Sequence, residues 1–207
     1  MKRNEMVSAL MITCGLLAGC RGQSQQDTFW SVQREIAEAD RITATAQLRV
    51  DRTDRVEEYR LTGVGTEDGW DVTVLEPEIM SGVTAHLDGE NSTLSYGNVI
   101  LPTGDVTESG IAPVTVLPAV VEALQEGNLS RIWSENDNLA VQLVLDDTVD
   151  VTIWFDETNT PKAAELSENG TVKAACTMES FTSERSNTNG YGNETDLGGD
   201  SSGESGS

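Results

Sequence analysis

Histidine is nearly missing from this sequence, with one, His86, in 207 residues. A single imidazole cannot build a histidine-bearing metal cluster, and no HExxH pair is present to hold zinc. As a polar position in an alternating stretch, His86 belongs on a surface. Cysteine is scarce as well, at three residues. Cys14 and Cys20 fall in and just after an N-terminal apolar run, which leaves Cys176 without an intramolecular disulfide partner. Its default role is that of a small buried apolar side chain. A nucleophilic role would call for a histidine nearby, and nothing suggests that His86 and Cys176 meet. Basic residues are outnumbered, 13 Lys and Arg against 35 Asp and Glu, for a net charge of −22. Such a surface repels phosphate backbones, which argues against a nucleic-acid partner, and it stands off from anionic headgroups. The acids are too many for any one acid–base pair to be singled out, and glycosidase chemistry needs two at a set separation. Gly63-Val64-Gly65 with Gly69 lacks the spacing of a phosphate-binding loop. Asp156-Glu157-Thr158-Asn159 lacks the calcium-loop spacing and reads as a hairpin turn. The expectation is a non-enzyme with no catalytic residues, no cofactor and no metal.

No apolar run reaches the roughly 20 residues needed to span a bilayer. The longest, residues 6–17, follows Lys2 and Arg3 and precedes Leu17-Ala18-Gly19-Cys20. Basic, then apolar, then small residues is the order of a signal peptide. Leu-Ala-Gly-Cys resembles the lipobox of bacterial lipoproteins. That resemblance implies cleavage before Cys20, lipidation of its thiol and, since acyl chains anchor by burying methylenes, attachment on the extracytoplasmic side of a cell membrane. The expected layout is a signal peptide over 1–19, a lipidated polar tether over 20–26, a folded domain over 27–182 and a disordered acidic tail over 183–207. The tail is too poor in apolar side chains to offset the entropy of ordering it.

Within the domain, Asp27 or Thr28 is a candidate N-cap, and Phe29, Val32 and Ile36 follow at helical spacing. From residue 41 the period changes to two. Alternating stretches at 41–50, 56–64, 70–76 and 83–87, then a short strand at 93–96 and a brief extended piece at 99–101, are separated by turn pairs such as Asp68-Gly69 and Gly97-Asn98. Leu117, Val120, Val121 and Leu124 return to helical spacing, predicting a second helix over 118–126 closed by Gly127. Pro118 is placed at its first position. Strands resume at 131–133, 139–145, 149–155, 162–167 and 171–181. Many short strands at near-even spacing argue an antiparallel sheet.

Four tryptophans punctuate this pattern: Trp30 on the first helix, and Trp70, Trp133 and Trp154 on three strands. Large rings in a sheet curved over helices either fill the core or line an apolar cavity. Trp70, Trp133 and Trp154 are therefore the candidates to line a cavity. The Glu-Pro after the Trp70 strand, the stretches 79–85 and 93–96, the mid-chain helix and Trp154-Phe155-Asp156 followed by Pro161 together resemble the LolA/LolB-like lipoprotein-carrier superfamily, including lipidated Gram-positive germination relatives. The resemblance covers residues 27–181. It implies a mostly β (α+β) fold, a half-open antiparallel β-barrel curved over two short helices, with an apolar hollow for acyl chains. The free shuttle of that family is not lipidated, so Cys20 implies an anchored form instead. Two readings follow. A lipid- or acyl-binding module would show an apolar cavity lined by strand residues such as Trp70 or Trp154. A module that docks a cell-envelope enzyme or other envelope protein would show a filled core and an exposed apolar patch or free sheet edge.

Overall fold

The computed structural model describes residues 24–185, apart from 53, 105–110 and 137. The signal peptide, Cys20 and residues 186–207 of the expected tail lie outside the described residues. Gln25 and Gln26, expected in the tether, are helical, and Ser183 and Glu184, expected in the tail, extend the last strand, where Ile42 and Arg41 pair with them. The chain opens with helix α1, Gln25–Ala37. Its cap is Ser24, upstream of the expected Asp27 or Thr28. The Ser24 hydroxyl oxygen accepts from the Asp27 backbone N–H at 3.1 Å, and Asp27 Oδ2 accepts from the Ser24 N–H at 3.3 Å. This reciprocal pair satisfies two orphan donors of the first turn, so Asp27 acts as the third helical residue and not as the cap.

Six strands follow: β1 Arg41–Asp51, β2 Val56–Thr66, β3 Gly69–Glu76, β4 Thr84–Leu87, β5 Thr93–Tyr96 and β6 Val99–Pro102. Helix α2, Val116–Glu126, comes next. It starts two residues before the expected Pro118, which sits third in the first turn. Proline is tolerated there because the N–H it lacks would have no partner inside the helix. Then come β7 Asn128–Glu135, β8 Asn138–Val144, β9 Val149–Phe155, β10 Pro161–Glu168 and β11 Thr171–Glu184.

Among the described residues these strands form one antiparallel sheet in the order β6-β5-β4-β3-β2-β1-β11-β10-β9-β8-β7. The sheet is curled but unclosed, with β6 and β7 as its two edges, and it wraps the two helices. This is the half-open barrel expected from the sequence. One long-range pairing makes it: β1 joins β11, with Arg41 opposite Glu184 and Val50 opposite Ala174. Two meanders, β1–β6 and β7–β11, are thereby fused into a single sheet.

Turn chemistry matches the sequence. In the β9–β10 hairpin Asp156 Oδ1 accepts from the Thr158 N–H at 2.8 Å, the Thr158 hydroxyl at 2.7 Å and the Thr160 N–H at 3.0 Å. These bonds hold the Asp156 carboxyl below its ordinary pKa. The residues thought of as calcium-like oxygens are thus engaged in a turn. Cys176 is a buried free thiol, and burial pushes its pKa up to about 12. It is inert as a nucleophile at neutral pH.

Candidate functional site: an uncovered apolar shelf

The concave face of the sheet carries the core. Val151, Ile153 and Phe155 of β9, Leu139, Val141 and Leu143 of β8, and Ala44, Ala46 and Leu48 of β1 all point inward. Helix α2 fills the space between them. Val116, Leu117, Val120, Val121, Ala123 and Leu124 are buried, and α2 touches β2, β8, β9 and β10. From α1, Phe29 and Ile36 complete the packing. In this part of the barrel the expected hollow is occupied by the protein's own helix.

Trp70 lies on the concave face, half-buried against the core. Its ring rests on two glycines of β2. A Cβ on Gly65 would come within 2.5 Å of the indole, and one on Gly63 within 3.2 Å. The glycines make the seat for the ring. Beside it an open cleft of about 480 Å³ is lined by Ile42, Thr66, Glu67, Trp70 and Gln125 among others. Its mixed polar lining does not suit an acyl chain.

Trp133 and Trp154 are on the opposite face. The two-residue period of β9 sends Ile153 and Phe155 inward and Trp154 outward. Ile132 pairs with the inward Val141, so Trp133, paired with Ala140, is outward too. The expectation that these two rings line an internal cavity is corrected by this register. Trp30 is 38% exposed at the surface of α1 and touches Phe29, with ring centroids 5.2 Å apart. His86 is at the surface as expected, its Nδ1 2.8 Å from Asp71 Oδ1.

The uncovered apolar surface is elsewhere, on β4–β6. Register places Val72, Ala85, Leu94 and Leu101 in one row across β3–β6, with Tyr96 opposite Val99 on the same face. Val72 belongs to the core, so this row is the outward continuation of the concave face. Neither helix reaches its end: Tyr96 is 61%, Val99 57% and Leu101 59% exposed. On the turn after β3, Ile79 and Met80 are exposed as well. On the other face Thr73 and Thr84 meet hydroxyl to hydroxyl at 2.8 Å and Ser95 pairs with Thr84, so β3–β5 are polar there, and only at the β6 edge does an apolar side chain, Ile100, stand exposed opposite Ser95. One side of this segment is therefore a wetted surface and the other an apolar shelf leading into the core. Sequence reasoning missed these residues. Their signal was the unbroken Val99-Ile100-Leu101 run, apolar on both faces of a strand that packs on nothing outside.

No titratable group of the described residues gathers into a metal-binding cluster or a nucleophile–base pair. Comparison with known proteins adds architecture only. No family model and no curated protein matches the chain. Among solved structures it is similar to an uncharacterised conserved protein from Thermus thermophilus, at 15% identity over 79% of this chain and 89% of that one, TM-score 0.44. It is similar also to a LolA superfamily protein from Nitrosomonas europaea, at 15% identity over 76% and 93% of the two chains, TM-score 0.39. A third is the lipoprotein LppX of Mycobacterium tuberculosis, at 10% identity over 73% and 94%, TM-score 0.35.

Proposed function

We propose that this protein is a lipoprotein held at the extracytoplasmic side of a cell membrane by acyl chains on Cys20, and that the β4–β6 shelf binds the acyl portion of a lipid or of another lipoprotein. The supporting observation is the concave row in which half-buried Leu94 leads from the core to exposed Tyr96, Val99 and Leu101. Covering each of these half-exposed side chains contributes about 1 kcal/mol, so three or four together give a useful but reversible grip. An open shelf fits a ligand that is taken up and released better than a sealed cavity does. The net charge of −22 favours a ligand whose headgroup is neutral or cationic.

Two experiments test the parts separately. Cys20→Ser should move the full chain from the membrane fraction to the soluble one and remove the mass of the acyl groups; an unchanged distribution would refute the anchor. For the shelf, the full chain is titrated with a fluorescent fatty-acid probe. Saturable binding that is lost in Leu101→Asp and Val99→Asp supports the reading, whereas binding indifferent to both refutes it.

A second reading rests on the edge itself. Among the described residues strand β6 has no neighbour beyond it, and its four residues are all exposed. An unpaired strand with apolar side chains on both faces is a docking template for a protein strand. Under this reading the non-catalytic domain engages an envelope protein through β6, and fatty-acid probe binding is absent while the Leu101→Asp variant loses the protein partner.

A further inference from the structure

On the convex face, far round the sheet from β6, register brings together a different kind of surface. Trp133 and Trp154 flank Ala140 from the two sides, on β7 and β9. Ala140 is an outward residue with 0% exposure, so the two half-buried indoles shield it. Both rings are held. The Arg131 guanidinium carbon lies 5.7 Å from the Trp133 ring centroid, and Trp154 Nε1 donates to Glu135 Oε2 at 2.8 Å. Next to this aromatic row runs a polar one, Gln142 opposite Thr152 opposite Glu165, in register with Arg131. Beyond Trp154 the aromatic row continues through the small Ala163 to Thr177.

We infer that this strip is a binding platform for an uncharged β-1,4-linked pyranose chain lying across the strands. Three features select that occupant. The rings rise from strands two apart, whose backbones lie about 10 Å from each other; that spacing matches the disaccharide repeat of such a chain, so alternate sugars present the same face to Trp133 and Trp154. Pyranose rings offer a flat patch of C–H groups for indole and a rim of hydroxyls or N-acetyl groups for the amide and hydroxyl of Gln142 and Thr152. A purely apolar ligand would bury those groups without partners, which is unfavourable. Charge points the same way: the row from Trp133 to Thr177 carries no charged residue of its own, but the carboxylates of Glu135 and Glu165 border it on a chain with 35 acids to 13 bases, so a polyanion would be repelled. An anchored envelope protein with such a strip would hold a glycan strand on its convex side, leaving the concave shelf free.

The test is indole fluorescence of the full chain in detergent, titrated with the hexasaccharides of N-acetylglucosamine and of glucose. Saturable binding of either is expected, weakened at least about tenfold by Trp133→Ala and by Trp154→Ala, as expected for loss of a stacking partner. Trp30→Ala, on helix α1 at the concave face, leaves binding unchanged. Ala163→Arg keeps both indoles and blocks the strip beyond Trp154; it should weaken both hexasaccharides, and it serves if an indole variant fails to fold. No saturable binding of either sugar overturns the proposal. So does binding that survives all three strip variants, or the finding that Trp133 and Trp154 are needed to capture a protein with which neither sugar competes.

Discussion

The two ends of this sheet obey the same alternation and end in opposite states. From β7 through β11 to β2 the concave face is sealed by α1 and α2, and Phe155, Ile153, Leu143 and Leu124 are fully buried. From β4 to β6 the same face carries residues just as apolar, yet Val99 and Leu101 are more than half exposed. The strands are similar; the difference is where the helices lie. Apolar residues under a helix stabilise the fold, and apolar residues beyond its reach are available to something else.

Breaking the sealed part should have the largest effect. Phe155→Ala leaves a cavity in the core and should cost about 3–5 kcal/mol in denaturant unfolding. Gly65→Ala comes next. Its methyl would enter the Trp70 ring, so about 2 kcal/mol of strain is expected, and Trp70→Ala in the same chain should recover part of it as a non-additive pair. A loss that is fully additive would show that the ring does not rest on Gly65.

Alkaline pH offers a third probe of the sealed region. The Cys176 thiol titrates near 12 in the fold against an ordinary value of 9.0. An acid whose folded pKa is raised contributes stability that is present below the unfolded value and lost as pH rises toward the folded one. Stability should therefore fall between pH 9 and 12, less so in Cys176→Ala, and alkylation of the native thiol at pH 8 should wait for unfolding. Glu122 on α2 gives a smaller effect at acid pH. Burial, then repulsion by Glu126 and Asp146, raises its carboxyl above the ordinary 4.5. The cost of its charge is relieved as pH falls from neutral toward that range, a gain in midpoint that Glu122→Gln should abolish.

The smallest stability change belongs to the open end. Leu101→Ser and Val99→Ser should each alter unfolding by less than about 0.5 kcal/mol while abolishing probe binding to the shelf. If either costs as much as a core residue, the shelf is covered and the contrast between the two ends fails.

Much of the fold was legible in residue order. Period-two stretches marked the long strands of the first meander, because a sheet with one face buried must alternate. Residues 99–101 and 139–145 were legible as short apolar runs between turns, and the start of β7 was missed. Helix α2 was visible through Leu117, Val120, Val121 and Leu124. Its start was misplaced because Pro118 reads as a first residue, while the first turn accepts proline further in. For α1 the cap was missed because Ser24 belonged to a stretch so polar that it read as tether. The site was harder. Tryptophans drew attention as the largest apolar side chains, yet alternation in β9 and pairing in β7 send Trp133 and Trp154 to the convex face. Which parity points inward is settled by partners far away in sequence, such as Val141 for Ile132.

By itself the sequence determined the strand and helix segments, the strongly acidic surface and the solitary buried thiol, because periodicity, charge and cysteine count are local properties of the chain. Only the tertiary structure decided that β1 pairs with β11, that α2 fills the hollow and that β4–β6 stay uncovered. Those outcomes depend on which apolar faces meet across more than a hundred residues, and burial is a property of the pair of surfaces and not of either one alone.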